Sequence, residues 1–318
     1  MSHDLPAWGH SHTKRSAADP RRRAALEGMG RGMLLVAWLV VVTACSSGGP
    51  SASSPSAPVL SGPSGEPTAA APADLLEGSF DVGGYKLYLR CSGTSSPTVV
   101  YLHGSVPDPA FSGSSSALAI QELIDDHHRM CVYDRANVGL SDAVEGPLTG
   151  TTSVRDLHRL LDAGGIQPPY VLLPASFGGL IADIYAATYP DEVVGMVQLD
   201  ANLPDMLEAM RRFIPKEDRL RPGDWVGTNE EIDELAVFDE ARALERELPA
   251  IPLTFLAATE LSPDPKEVAG IRTLQRAFVD RFSPGRLIIL DVPHYMEPEI
   301  PQRIAREIEG VIAAAVDA

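Results

Sequence analysis

Residues 171–180 read VLLPASFGGL, and how they fold decides how the rest of the chain folds. An apolar run suited to a buried strand meets Ser176, then Gly178 and Gly179, then the apolar pattern of a helix. A serine on a sharp strand-to-helix turn holds its hydroxyl clear of the strand end, as in the Gly-x-Ser-x-Gly elbow. Such a turn strains the serine backbone and needs small neighbours. Ala175, Gly178 and Gly179 supply them. Pro174 stands where the first glycine is usual and removes one backbone donor at the strand end. Ser176 is the candidate nucleophile.

Working outward, the chain alternates. GSFDVGG and YKLYLRCSG form an opening hairpin with its turn at Gly83-Gly84. Short apolar runs follow at Thr98–Leu102, Met130–Tyr133, Tyr170–Leu173, Val194–Leu199, Leu253–Ala257 and Arg286–Leu290. Runs this short, continuous and β-branched suit strands buried on both faces of a parallel sheet. Helical patterns lie between them at Ser116–His128, Thr152–Ala163, Phe177–Thr188, Arg272–Phe282 and Pro301–Val316. Strand–helix repeats of this kind predict an α/β class with helices on both faces of the sheet. Residues 201–250 break the repeat: they are acidic, helical in tone and without a convincing strand, and read as an insertion.

The order of the remaining signals carries a resemblance. His103-Gly104 follows the third strand, DRANVGLSD (134–142) the fourth, PASFGG the fifth, Leu199-Asp200-Ala201 the sixth and VPHYM (292–296) the eighth. Over residues 76–318 the chain resembles the α/β-hydrolase superfamily, and its elbow segment is similar to that of serine esterases and lipases. DRANVGLSD is similar to the superfamily's DRxGxGxSD loop, with Asn137 at a glycine position; Asn tolerates left-handed backbone. The resemblance implies a mostly parallel eight-stranded sheet and a helical cap at 201–250.

Ser is a weak nucleophile and needs a base within hydrogen-bond reach. The resemblance implies His294, just after the last strand, as that base. A carboxylate must hold the imidazole in the right tautomer. Glu260, after the seventh strand, fits best; Asp264 lies further along, and Asp200 after the sixth strand is the known variant position. The N–H groups of Ser105 and Phe177 are expected to form the oxyanion hole, with His103 ordering the oxyanion loop. No cofactor motif, metal constellation or phosphate-binding glycine loop competes. The function implied is cleavage of small-molecule carboxylic esters through an acyl-enzyme. The alternative, raised by Pro174 and Pro293, is an inactive hydrolase-fold protein that binds a ligand or partner. The superfamily's strand order, 1-2-4-3-5-6-7-8, also sets the second strand beside the fourth. Cys91 and Cys131 then face each other as a disulfide pair.

The N-terminus carries a different message. Lys14, Arg15, Arg21, Arg22, Arg23 and Arg31 precede a short apolar run, Met33–Val42, which ends in Val42-Thr43-Ala44-Cys45. That is the layout of an export signal over residues 1–45, and the run is shorter than the roughly 20 apolar residues that span a bilayer. Val-Thr-Ala-Cys resembles a bacterial lipobox, which implies lipidation of Cys45 and attachment to the outer face of the cell membrane. Met29 and Met33 are alternative starts. Residues 46–75 are rich in Ser, Pro, Gly and Ala and read as a flexible tether. The net charge of −17 becomes −20 once residues 1–45, with six basic and three acidic side chains, are removed. Nucleic acid requires a basic footprint, so it is excluded as a partner.

Overall fold

The computed structural model describes residues 74–317, except 107–109, 218, 225–229 and 260–263. The leader expected over 1–45, its Cys45, and all but the last two residues of the expected tether lie outside the described residues, as does Glu260.

The hairpin forms first. β1 (Leu76–Asp81) pairs antiparallel with β2 (Lys86–Ser92), and the turn between them runs through Gly83 and Gly84 at φ 114° and 118°, values that side chains disfavour. The strands that follow are β3 (Thr98–Leu102), β4 (Met130–Tyr133), β5 (Tyr170–Pro174), β6 (Val193–Leu199), β7 (Leu253–Ala258) and β8 (Gly285–Leu290). They form one eight-stranded sheet in the order β1-β2-β4-β3-β5-β6-β7-β8. β2 meets β4 antiparallel, and every pairing from β4 to β8 is parallel.

Period-two alternation divides the core between the two faces. Val100, Leu102, Cys131 and Tyr133 pack with Leu157, Ile181, Ile184, Phe238 and Phe278, whereas Val99, Tyr101, Met130 and Val132 pack with Ile120, Ile124, Ile304 and Ile308. The first set lies under α2 (Gly150–Ala163), α3 (Gly178–Thr188), α5 (Glu234–Leu244) and α6 (Pro265–Val279); the second lies under α1 (Leu118–Ile124) and α7 (Pro301–Val316). α2 begins where Thr149 Oγ1 accepts from the Thr152 N–H at 3.3 Å, and it buries Val154, Leu157, Leu160 and Leu161. This is the stripe that makes a helix of a marginal sequence. α6 spans Pro265–Val279, seven residues earlier at its start than the apolar pattern suggested, because Asp264 caps it and Pro265 opens it. No helix among the described residues is long and apolar enough to cross a membrane.

Residues 201–250 contain α4 (Met206–Met210) and α5 (Glu234–Leu244), with Asp233 accepting from the Ala236 N–H at the start of α5. An isolated bridge, Leu148↔Ile232, ties this segment to the loop before α2. Met206, Met210, Val237 and Phe238 enter the core beside α3, so the segment is packed down rather than standing free.

Cys91 and Cys131 are direct cross-strand partners in β2 and β4 and form a disulfide, with Cα atoms 4.0 Å apart. Both are buried. Closing a loop of sequence separation 40 contributes about 4 kcal/mol in the chain-entropy model.

Candidate active site

Ser176 follows β5 at φ 48°, the left-handed region in which a side chain is strained. Its N–H donates to the Leu199 carbonyl at 3.1 Å, and its carbonyl accepts from Gly179 and Asn202 at 3.0 and 2.8 Å. Hydrogen bonds on both sides thus hold the turn against its strain. The glycines after it are a packing requirement. A Cβ on Gly178 would lie 2.1 Å from the Leu102 carbonyl oxygen, and one on Gly179 would lie 2.6 Å from the Ala201 Cβ. Pro174 fits because it is the last residue of β5, opposite Leu102 of β3, where the strand is ending.

His294 reaches the serine from the loop after β8. Its Nε2 lies 3.0 Å from Ser176 Oγ, and its Nδ1 lies 2.7 Å from Asp200 Oδ2. A carboxylate only accepts, so Nδ1 carries the proton and Nε2 is left to accept one. Asp200 leaves β6 at φ 40°, its N–H donating to Leu256 O at 2.7 Å and its Oδ1 accepting from the Ala258 N–H at 3.2 Å. Its side chain is 2% exposed, against 23% for His294. The sequence favoured Glu260 for this place. Glu260 lies outside the described residues; the carboxylate found at Nδ1 is that of Asp200, because the strand end that meets the histidine loop there is that of β6. Asp264 is engaged at the start of α6, where its Oδ1 accepts from the Lys266 N–H at 2.8 Å.

His103 is buried behind the serine. Its Nε2 accepts from the Arg135 N–H at 3.2 Å, so its proton sits on Nδ1 and is donated to the Gly104 carbonyl at 2.7 Å. Burial first, and then the neighbouring Arg135 cation, hold the imidazole well below its ordinary pKa. It stays neutral, and its contacts tie it to the loop rather than to the reacting atoms. Gly104 packs on the serine: a Cβ there would lie 3.1 Å from Ser176 Cβ. Among the described residues, no group accepts from the N–H of Ser105 or of Phe177.

A cavity of about 130 Å³ opens over the serine, lined among others by Gly104, Ser105, Val106, His294, Tyr101 and Glu297. Glu297 is buried and receives the Tyr101 hydroxyl on Oε1 at 2.7 Å. Burial raises its pKa, opposed by the Tyr101 hydrogen bond and by the proximity of His294. The hydroxyl of Tyr101 also lies 2.8 Å from that of Ser116, and Ser116 donates to the Gly113 carbonyl at 3.1 Å.

Sequence reasoning gave no role to Arg135, Glu230 or Glu297. Arg135 sits inside DRANVGLSD (134–142), where the signal belongs to the motif and not to one side chain. Glu230 is one acid in an acidic segment, with nothing in its spacing to separate it from its neighbours.

The family model for the alpha/beta hydrolase fold matches residues 97–231. Among related sequences, the protein YqjL of Bacillus subtilis is 30% identical over 145 residues, covering 45% of this chain and 54% of that protein. The cis-3-alkyl-4-alkyloxetan-2-one decarboxylase of Shewanella oneidensis is 31% identical over 128 residues, 38% of each chain. The chain spans about half the length of YqjL and less of the other relatives named or of similar rank. Of solved structures, the enol-lactonase of Burkholderia xenovorans LB400 superposes with a TM-score of 0.53 at 19% identity, covering 74% of this chain and all of that one. An esterase of Thermogutta terrifontis does so at 0.51 and 18%, covering 76% and 99%. At such identities the likeness is one of fold.

Proposed function

The chain has the α/β-hydrolase fold, and from that premise we propose that it is a serine hydrolase cleaving carboxylic esters through an acyl-enzyme. One observation carries the proposal: His294 bridges Ser176 Oγ at 3.0 Å and Asp200 Oδ2 at 2.7 Å. Ser176 Oγ attacks the ester carbonyl carbon as its proton passes to His294 Nε2. Asp200 holds the imidazole and stabilises the imidazolium. The N–H groups of Ser105 and Phe177 receive the developing oxyanion. Collapse expels the alcohol, which takes its proton from His294 and leaves Ser176 acylated. Water, activated by the same histidine, then releases the acid. The partners this reading implies are a small ester as substrate, and the membrane through a lipidated Cys45 on the outer face of the cell.

The test is labelling by a fluorophosphonate probe together with ester turnover. Ser176→Ala should abolish labelling. Removing Ser176 or His294 should lower kcat by about 10⁶, and Asp200→Ala by about 10⁴, as for other units of this kind. Glu260→Gln should lose far less. Normal ester turnover in Ser176→Ala would end the reading, and normal turnover in Asp200→Ala would end the assignment of the acid. Membrane retention unchanged by Cys45→Ser would remove the anchor.

A further inference from the structure

Ser105 occupies a bracketed position. On its N-terminal side, Arg135 donates to the carbonyls of His103 and Gly104 at 2.6 and 2.8 Å. On its C-terminal side, the Val106 N–H donates to Glu230 Oε1 at 2.8 Å. The two anchoring side chains are joined to each other. Arg135 Nε donates to Glu230 Oε2 at 2.9 Å, and the remaining guanidinium nitrogen of that edge lies 2.8 Å from the same carboxylate. Both residues are buried, at 3% and 7% exposure. The guanidinium also stands 5.7 Å from the centre of the Phe177 ring, within cation–π range.

The bonds around Ser105 therefore take up the carbonyl before it and the N–H after it, and leave its own N–H to the cavity that Ser105 lines. The same guanidinium touches the residue that supplies the other free N–H. A carbonyl turned into the cavity at Gly104 would repel an oxyanion, and Arg135 holds that carbonyl away. Glu230 belongs to residues 201–250, not to the sheet, and is fastened near its own position by the bridge of Ile232 to Leu148. A buried, bidentate ion pair is weak evidence for stability as such, because desolvation offsets much of the attraction. Its worth lies in fixed geometry.

We propose that Glu230, acting through Arg135 and the Val106 N–H, is a positioning residue that presets the oxyanion hole, so that the inserted segment controls the second half of the site. The proposal rests on the serine-hydrolase reading above. Removing one oxyanion donor outright costs about 10²–10³ in kcat, so a donor left in place but misdirected should cost about 10–100-fold.

The experiment compares wild type, Glu230→Gln, Glu230→Ala and the apolar pair Arg135→Met/Glu230→Met, using 4-nitrophenyl butyrate and a trifluoromethyl ketone that mimics the tetrahedral state. Glu230→Gln keeps an acceptor for Val106 and guards against loss of folding, and the apolar pair leaves no buried charge unpaired. The expected result is a 10–100-fold fall in kcat with KM within about threefold, and a matching weakening of ketone inhibition. Fluorophosphonate should still label Ser176 to the wild-type stoichiometry. A packing role alone would move KM, labelling stoichiometry and melting temperature together and spare the ketone-to-substrate ratio. Folded variants with wild-type kcat, or with unchanged ketone inhibition, overturn the proposal and leave the serine reading intact. A wild type that neither labels nor turns over ester overturns both.

Discussion

Two buried glutamates stand at the cavity, Glu297 in its lining and Glu230 bonded to the lining residue Val106, and they keep different company. Glu230 faces a guanidinium in bidentate contact and a backbone N–H. Glu297 faces a phenol, and no Lys or Arg forms an ion pair with it among the described residues. The contacts around Glu297 make the difference concrete. With Ser116 donating to Gly113, the Tyr101 hydroxyl has one hydrogen for two neighbours, Ser116 and an ionised Glu297. Protonation of Glu297 would supply the missing hydrogen, and burial pulls its pKa in that direction. The same side chain is held by a cation in one place, and by a phenol, backbone N–H groups and a neighbouring histidine in the other.

The contrast is most exposed to Arg135→Met. Taking away the cation leaves Glu230 buried and unpaired, with an expected loss of about 3–5 kcal/mol in denaturant unfolding. Adding Glu230→Met should restore most of it. A single replacement no worse than a surface change would dissolve the distinction. Glu297→Gln should do much less, about 0.5–1.5 kcal/mol, because it keeps a hydrogen-bonding group of the same shape against the Tyr101 hydroxyl. The smallest effect is also the most diagnostic, and it appears with pH. A carboxyl whose folded pKa is raised above the ordinary glutamate value of 4.5 binds more protons folded than unfolded. Its contribution is complete below that value and is lost as pH rises through the raised folded pKa. Thermal stability followed upward from about pH 4.5 should therefore decline more in wild type than in Glu297→Gln. Asp183, buried and shifted the same way, remains in both proteins and cancels in the difference. The groups facing Glu297 are Tyr101 of β3 with Ser116 beyond it, and His294 and Tyr295 of its own loop. Parallel pH profiles would show that Glu297 is as well paired as Glu230.

The sheet was legible because its strands are short, apolar and separated by helix-length segments, so period and length agree. The sharp turn at Ser176 was legible because its backbone demand is written in the residues around it, Ala175, Gly178 and Gly179. The acid was not. Both β6 and β7 end near carboxylates, and the choice between them depends on where the loop carrying His294 comes to rest, a matter of three-dimensional packing. One local signal did point to Asp200: an acid that directly ends a buried strand, a place where a left-handed turn is tolerated. Glu230 had no such signal, since its partner lies 95 residues away and its neighbours are equally acidic. Glu297 was hidden differently: it lies three residues after His294 with no spacing or motif of its own.

The disulfide has a topological consequence. Because the chain between Cys91 and Cys131 runs out to β3, beyond β4 in the sheet, and back, the covalent ring contains β3, the Ser105 loop and α1. A protease that cuts once inside this ring opens it without releasing either piece. The nicked protein therefore migrates as one chain until a reductant is added, and the severed half carrying β3 stays within reach of its place in the sheet.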